Sequence, residues 1–216
     1  MNVLVLDGHP DEGRLLSALL DSYVQSLGPN VFVHRIAVRQ LSFDPNLRTG
    51  YTSDQPCEPD LKMVGEALLA CDHLVVGFPL WWGGEPAILK GLLDRIILPG
   101  FAFQFRRKGP FWDRLLQGRS ADVIVTMDTP PLWMRWVYGD PLKKRWAYQV
   151  LGFCGFNPLR FFPFGPTRRG GAAENAENWR RHLHKAATTA HTLRRGPRSP
   201  IPPSREAFSA AKNPDL

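Results

Sequence analysis

Cysteine is scarce in this chain. Cys57, Cys71 and Cys154 are far apart and form no CxxC pair. An odd number at such spacing gives neither a disulfide framework nor a structural zinc site, and reduced thiols in a cytoplasm are the simplest reading. Long apolar runs are also missing: none approaches the roughly 20 residues that span a bilayer. The opening MNVLVLDGHPDEG has no basic leader, and Asp7 cuts its apolar run short, so it reads as a first strand rather than a secretory signal. No GxSxG elbow, Walker loop or GxGxxG turn is present. The histidines do not group. His182 and His184 lie two apart on one helix and do not share a face, while His34, His73 and His191 are isolated. No metal site is expected.

Acidic residues are in the minority, 20 against 27 basic ones, for a net charge of +7. The excess is local. Arg106, Arg107, Lys108, Arg114 and Arg119 face Asp113 alone between 104 and 119. Arg194, Arg195, Arg198, Arg205 and Lys212 face Glu206 and Asp215 after Leu193. No nucleic-acid recognition motif accompanies either patch, so solvated loop and tail charge is expected, with no nucleic-acid partner.

The remaining pattern alternates strand with helix. Val3–Leu6 is a short apolar strand, followed by a helix from about Arg14 to Leu27. Val31–Ile36 is the second strand, completing a βαβ unit with a right-handed crossover. Residues 37–59 carry Pro45, Gly50, Pro56 and Pro59 and predict a long loop. A helix from Asp60 leads to a third strand at 74–78. Residues 99–119 read as irregular, Ala121–Met127 as the fourth strand, and Pro141–Leu151 as a helix. Asn157–Phe164 is the fifth strand, at a sheet edge because Pro163 cannot donate to a ladder. Ala173–Leu193 is the last helix. The pattern predicts an α/β doubly wound, five-stranded parallel sheet of order 2-1-3-4-5, with its switch point between the first and third strands. Residues 1–193 form the domain, and 194–216 a Pro/Arg-rich tail, flexible or partner-dependent.

The chain is organised around HLVVGFPLWWGGEPAILKGLLDRIIL, residues 73–98. Its apolar run does not alternate, which suits a strand covered on both faces. Gly83-Gly84 allows close approach to the backbone, and Pro86 fits a first helical turn. Ile88, Leu89, Leu92, Leu93, Ile96 and Ile97 share one helical face, with Lys90, Asp94 and Arg95 off it. The loop Pro79–Gly84 lies beyond a strand's carboxyl end, where ligands bind in open α/β sheets. Large aromatic surface and free backbone donors suit a flat aromatic ligand. A second candidate is GHPDEGRLLSALL, residues 8–20. A turn entering a helix N-terminus there offers N–H groups and a positive dipole to phosphate.

The segment FPLWWGGEPAILKGLLDR resembles FPLxWxGxPAxLKGxxDR of the NAD(P)H:quinone oxidoreductases with a flavodoxin-like fold, and His9, Pro10, Ala18 and Leu19 match their HPxxxSxxxAL. The two motifs place most of residues 1–165 in register with that family. The resemblance implies a tightly bound flavin, FMN or FAD, with NAD(P)H as co-substrate. His9, Arg14, Leu15, Leu16 and Ser17 would hold the flavin phosphate, although Arg14 stands where the family carries a hydroxyl. Pro79, Leu80, Trp81, Trp82 and Gly83 would line the isoalloxazine, although Gly83 replaces an aromatic. Thr126, Met127 and Asp128 stand where a TTGG-like segment contacts the polar edge of the ring. Asp128 either faces that edge, where its charge opposes reduction, or caps the following turn. Tyr138 occupies a histidine's place and would donate a proton to a quinone oxygen; the bland reading is a helix-start turn capped by Asp140. Part of the first basic patch would attract an anionic nucleotide such as NADPH.

The resulting expectation is a cytoplasmic flavoprotein, commonly a homodimer in this family, that passes electrons from NAD(P)H to a quinone by ping-pong hydride transfer. Two alternatives stand beside it: a flavodoxin-like electron carrier without enzymatic activity, and an ancillary subunit of a potassium-efflux system.

Overall fold

The computed structural model describes residues 1–50, 55–168 and 170–204. Five parallel strands form one sheet: β1 (Asn2–Asp7), β2 (Phe32–Ala37), β3 (His73–Pro79), β6 (Ser120–Thr126) and β7 (Leu159–Phe164), in the order β2-β1-β3-β6-β7. This is the expected 2-1-3-4-5 order, because β4 (Phe103–Phe105) and β5 (Trp112–Arg114) make a separate antiparallel hairpin.

The central strands β1, β3 and β6 are buried and mostly apolar because both sheet faces are covered there, and successive side chains serve different cores. Val3, Val5, Val75 and Ile124 pack with Leu16, Leu19, Leu20 and Tyr23 of α1 (Leu15–Gln25) and Trp179 and Leu183 of α7 (Gly171–Thr189). Leu4, Leu6, Val76, Phe78 and Val123 pack with Leu61 and Val64 of α2 (Pro59–Ala70) and Leu89 and Leu92 of α3 (Ala87–Ile96). Pro86 stands at the N-cap of α3 rather than inside its first turn. Cys71 and Cys154 are buried in this packing, which pushes their thiols up to about 11 and about 12. All three cysteines are free.

Several local expectations change. Residues 99–119 are not irregular throughout: the β4–β5 hairpin is held by Trp112 stacked on Phe153 at 4.3 Å and by Arg106 on Asp113 at 2.7 Å. Its strands of three residues each are too short to show a period. Arg119 is buried rather than solvated, donating to the Leu68 and Leu69 carbonyls at the end of α2. A further helix, α4 (Pro131–Trp136), follows β6. Only Met134 of it is buried, so it leaves no amphipathic signature. The helix expected at 141–151 runs on to Cys154, as α5 (Pro141–Lys144), a π-helical stretch Arg145–Val150, and α6 (Leu151–Cys154). Gly152 admits the wider turn: a Cβ there would lie 1.7 Å from the Ala147 carbonyl oxygen. Arg95, off the apolar face by sequence, is buried and ties the 37–59 loop through the Asp44 and Pro56 carbonyls and Glu58.

The tail begins packed rather than free. Arg198 bonds Asp72 at 2.7 Å and the Cys71 carbonyl at 3.0 Å, and Ser204 N–H reaches the Gly100 carbonyl at 2.9 Å. The rest of the expected tail, 205–216, lies outside the described residues. No helix among the described residues is long and apolar enough to cross a membrane.

A polar network crosses the α1–α7 face. Asp122 accepts from Tyr23 Oη at 2.7 Å and from both Nε and Nη2 of Arg160, at 2.7 and 2.6 Å. His73 adds Nε2 to Tyr23 and Nδ1 to Ser120. Burial works against the Asp122 carboxylate, but hydrogen bonds and charge from His73 and Arg160 outweigh it and hold its pKa below 3.8. A carboxylate depressed on folding stabilises the fold above its unfolded pKa, and that stabilisation is lost as pH falls through the folded value. Asp122→Asn should therefore cost roughly 3 kcal/mol at neutral pH by leaving Arg160 uncompensated. It should also flatten the acid limb of stability below pH 3.8. Chemical denaturation at pH 7 and down the acid limb measures both.

Candidate functional site

Four segments meet at the carboxyl ends of β1, β3, β6 and β7. At the first, Asp7 is buried and its carboxylate accepts from His9 N–H at 3.1 Å, Ser17 Oγ at 2.7 Å and Arg39 at 3.0 Å. This fixes the turn into α1. It also turns the Ser17 hydroxyl inward, so a contact from Ser17 to a ligand is left to its backbone N–H. The N-cap position of α1 is Arg14, with extended backbone and no side-chain cap. The N–H groups of Leu15, Leu16 and Ser17 therefore have no intrahelical acceptor. The Arg14 guanidinium is held by Asp11, with Nε at 2.7 Å.

His9 joins this end to the next. Its Nδ1 accepts the Asp11 N–H at 3.0 Å, which puts the proton of the neutral ring on Nε2, and its ring stands edge-on to Trp81 with centroids 5.8 Å apart. Partial burial lowers its pKa below 6.5, outweighing the carboxylate of Asp7. The ring is neutral at pH 7 and can donate once.

Leu80 N–H is anchored on the Thr126 carbonyl at 2.8 Å, and Trp81 and Gly84 exchange backbone bonds at 2.9 and 3.0 Å. Between them Trp82 has φ 50° and Gly83 φ 84°, the left-handed pair of a type I′ turn. Gly83 suits that geometry and a tryptophan does not. The strained Trp82 is wholly exposed. Behind the turn, the Glu85 side chain is 2% exposed and forms a two-pronged pair with Arg145 at 2.5 and 2.7 Å.

The fourth wall joins β6 to the segment after β7. Met127 N–H donates to the Phe164 carbonyl at 2.8 Å, and Thr167 N–H to the Met127 carbonyl at 3.1 Å. Asp128 accepts the Thr167 hydroxyl at 2.6 Å and is ion-paired with Arg168 at 2.5 Å. It does not cap the following turn.

These walls enclose a cavity of about 670 Å³ lined by His9, Arg14, Leu15, Leu16, Pro79, Leu80, Trp81, Trp82, Thr126, Met127, Asp128, Thr167 and Arg168. Its size is ordinary for a small-molecule site. Of the residues singled out by sequence, Ser17, Gly83 and Tyr138 do not line it. Tyr138 is exposed beyond α4. Asp140, at the N-cap of α5, has left-handed backbone and no side-chain cap bond, so the capped helix-start turn is not formed either. Thr167 and Arg168 were missed. The argument that ligands sit beyond strand carboxyl ends applied equally to the fifth strand and could have found them.

The donor set suits a flat heteroaromatic ring with a phosphate: aromatic and aliphatic walls, an uncapped helix N-terminus and an arginine beside it. No metal-binding cluster occurs among the described residues.

The family model for the flavodoxin-like fold matches residues 1–188. An uncharacterized NAD(P)H oxidoreductase of Haemophilus influenzae is 32% identical over 173 residues, 76% of this chain and 84% of that protein. Rat NAD(P)H dehydrogenase [quinone] 1 is 31% identical over 134 residues, 58% of this chain. There the match spans about half of the relative's length, 47%. The crystal structure of Smu.1420 from Streptococcus mutans superposes with a TM-score of 0.69 at 27% identity, covering 89% of this chain and all of that one.

The turn at Trp82 gives a direct test. Trp82→Asn places a residue that tolerates left-handed backbone where no burial is lost, and should raise stability by about 1 kcal/mol. A shift of the denaturation midpoint at constant slope would show it.

Proposed function

Because this chain belongs to the flavodoxin-like family matched by its residues 1–188, we propose that it is a flavin-dependent NAD(P)H oxidoreductase that delivers electrons to a quinone or a similar acceptor. One observation carries the reading. The uncapped N-terminus of α1 and the Trp81–Gly84 turn open into the same cavity, at the point where strand order reverses between β1 and β3. Phosphate and ring sites thus share one cavity, as a flavin requires.

In this reading the N–H groups of Leu15, Leu16 and Ser17 and the Arg14 guanidinium hold the phosphate. Trp81, Leu80 and Pro79 flank the ring, and His9 Nε2–H offers a hydrogen bond beside Trp81. Trp82, exposed at the rim, stands beside the face where donor and acceptor bind in turn. The bound flavin supplies acceptance and release of a hydride. The chain's own task is position, which explains why the cavity contains so few acid–base groups. Donor and acceptor use the same face alternately, a ping-pong order.

The purified chain should bind FMN or FAD with the visible absorption of oxidised flavin, bleach with NAD(P)H, and recover its colour with a quinone. A chain that binds neither flavin sinks the proposal. Bleaching without sustained NAD(P)H oxidation favours an electron carrier. Arg14→Ala should weaken FMN binding about tenfold through loss of a charge-assisted contact. It should leave riboflavin, which has no phosphate, unchanged. Fluorescence titration with the two ligands separates these effects.

A further inference from the structure

We propose that Arg168 is a positioning residue for redox chemistry: paired with Asp128, it balances charge at the polar edge of the bound flavin and keeps the site receptive to electrons. This rests on the flavin reading above. A carboxylate alone in the wall of such a cavity would oppose the added electron density of a reduced ring. Asp128 is not alone. One of its oxygens takes the Thr167 hydroxyl at 2.6 Å, and the other is ion-paired with Arg168 Nε at 2.5 Å. Asp128, Thr167 and Arg168 all line the same cavity.

Backbone builds the couple. Thr167 N–H is fixed on the Met127 carbonyl, 3.1 Å away. The segment before it passes so close that a Cβ on Gly165 would lie 2.5 Å from the Met127 oxygen. The chain after β7 is therefore held against the end of β6, and Arg168 emerges beside Asp128. The couple adds little to stability, because the Arg168 side chain is 83% and that of Asp128 42% exposed, and exposed pairs contribute little in water. With Nε on Asp128, the Nη groups of Arg168 have no hydrogen-bond partner among the described residues and remain available to a ligand. A ring entering the cavity displaces water and strengthens the field of both charges.

The test is the ratio of dissociation constants for reduced and oxidised FMN, titrated anaerobically on the full chain. Arg168→Gln leaves Asp128 unpaired and should weaken reduced FMN relative to oxidised by roughly tenfold, the effect of a unit charge across several ångströms at intermediate dielectric. Asp128→Asn should move the ratio the other way. The double variant should return to within roughly threefold of the wild type, since removing both opposite charges leaves the net field at the ring nearly unchanged. A purely structural role would change both constants by one factor and leave the ratio fixed. That result, or single variants that shift the ratio in the same direction, overturns the assignment while the wild type still binds flavin. A wild-type chain that binds no FMN overturns the flavin reading, and this assignment with it.

Discussion

Parallel pairing places Asp7 opposite Gly77 and Pro79 opposite Thr126, and the cavity depends on that register. Parallel strands end together, so every connection leaving the carboxyl edge starts at the same level. Strand order then reverses: the chain leaves β1 toward one side and β3 toward the other. No helix can fill the gap between two connections that diverge. The α1 N-terminus, the tryptophan turn and the β6 end come together for this topological reason. Direct bonds then join them, Leu80 N–H to the Thr126 carbonyl and His9 edge-on to Trp81.

Buried charge then fixes what the sheet leaves loose. Arg95 gathers the 37–59 loop, Arg145 anchors the foot of the tryptophan turn through Glu85, and Arg160 joins β6, β7 and α7 through Asp122. Each arginine has a carboxylate, and two of them also take backbone carbonyls. Such pairs repay desolvation only when their geometry is well satisfied. Their value here is conformational, because each ties an irregular segment to a regular one. The Glu85 pair matters most for the site. It braces the turn that holds Trp82 in strained, exposed backbone, a conformation that persists only when its surroundings over-determine it.

Much of this was legible in the sequence because it rests on local pattern. Non-alternating strands, an amphipathic helix after Pro86 and a turn at Gly83-Gly84 each follow from neighbouring residues, and together they give the strand order. Eleven of the cavity's lining residues fall in the three stretches that were singled out, 8–20, 79–84 and 126–130, and Arg168 and Thr167 do not. What escaped is non-local or too short. The Asp128 partners lie 39 and 40 positions away, and no periodicity links them. The hairpin strands are too short for a pattern, and α4 turns its apolar side chains outward. The direction of the Ser17 hydroxyl was not legible, because a hydroxyl beside a helix N-terminus serves a ligand or the fold equally well, and it is the buried Asp7 carboxylate that takes it. Tyr138 was placed by alignment to a motif, and motif spacing does not fix a side chain's direction after an unforeseen helix.

The two charged departures from the family motif share one physical form. Arg14 adds a positive charge at the phosphate end, and Asp11 holds it; Asp128 adds a negative charge at the other end, and Arg168 holds that. Each couple is nearly neutral at a distance, so neither disturbs the field over the cavity before a ligand enters. Each also keeps an exposed arginine at the rim. Sequence displays the added charge and conceals the counter-charge, so both substitutions look disruptive when read one residue at a time. Seen as couples, they leave the net charge of the cavity wall nearly unchanged.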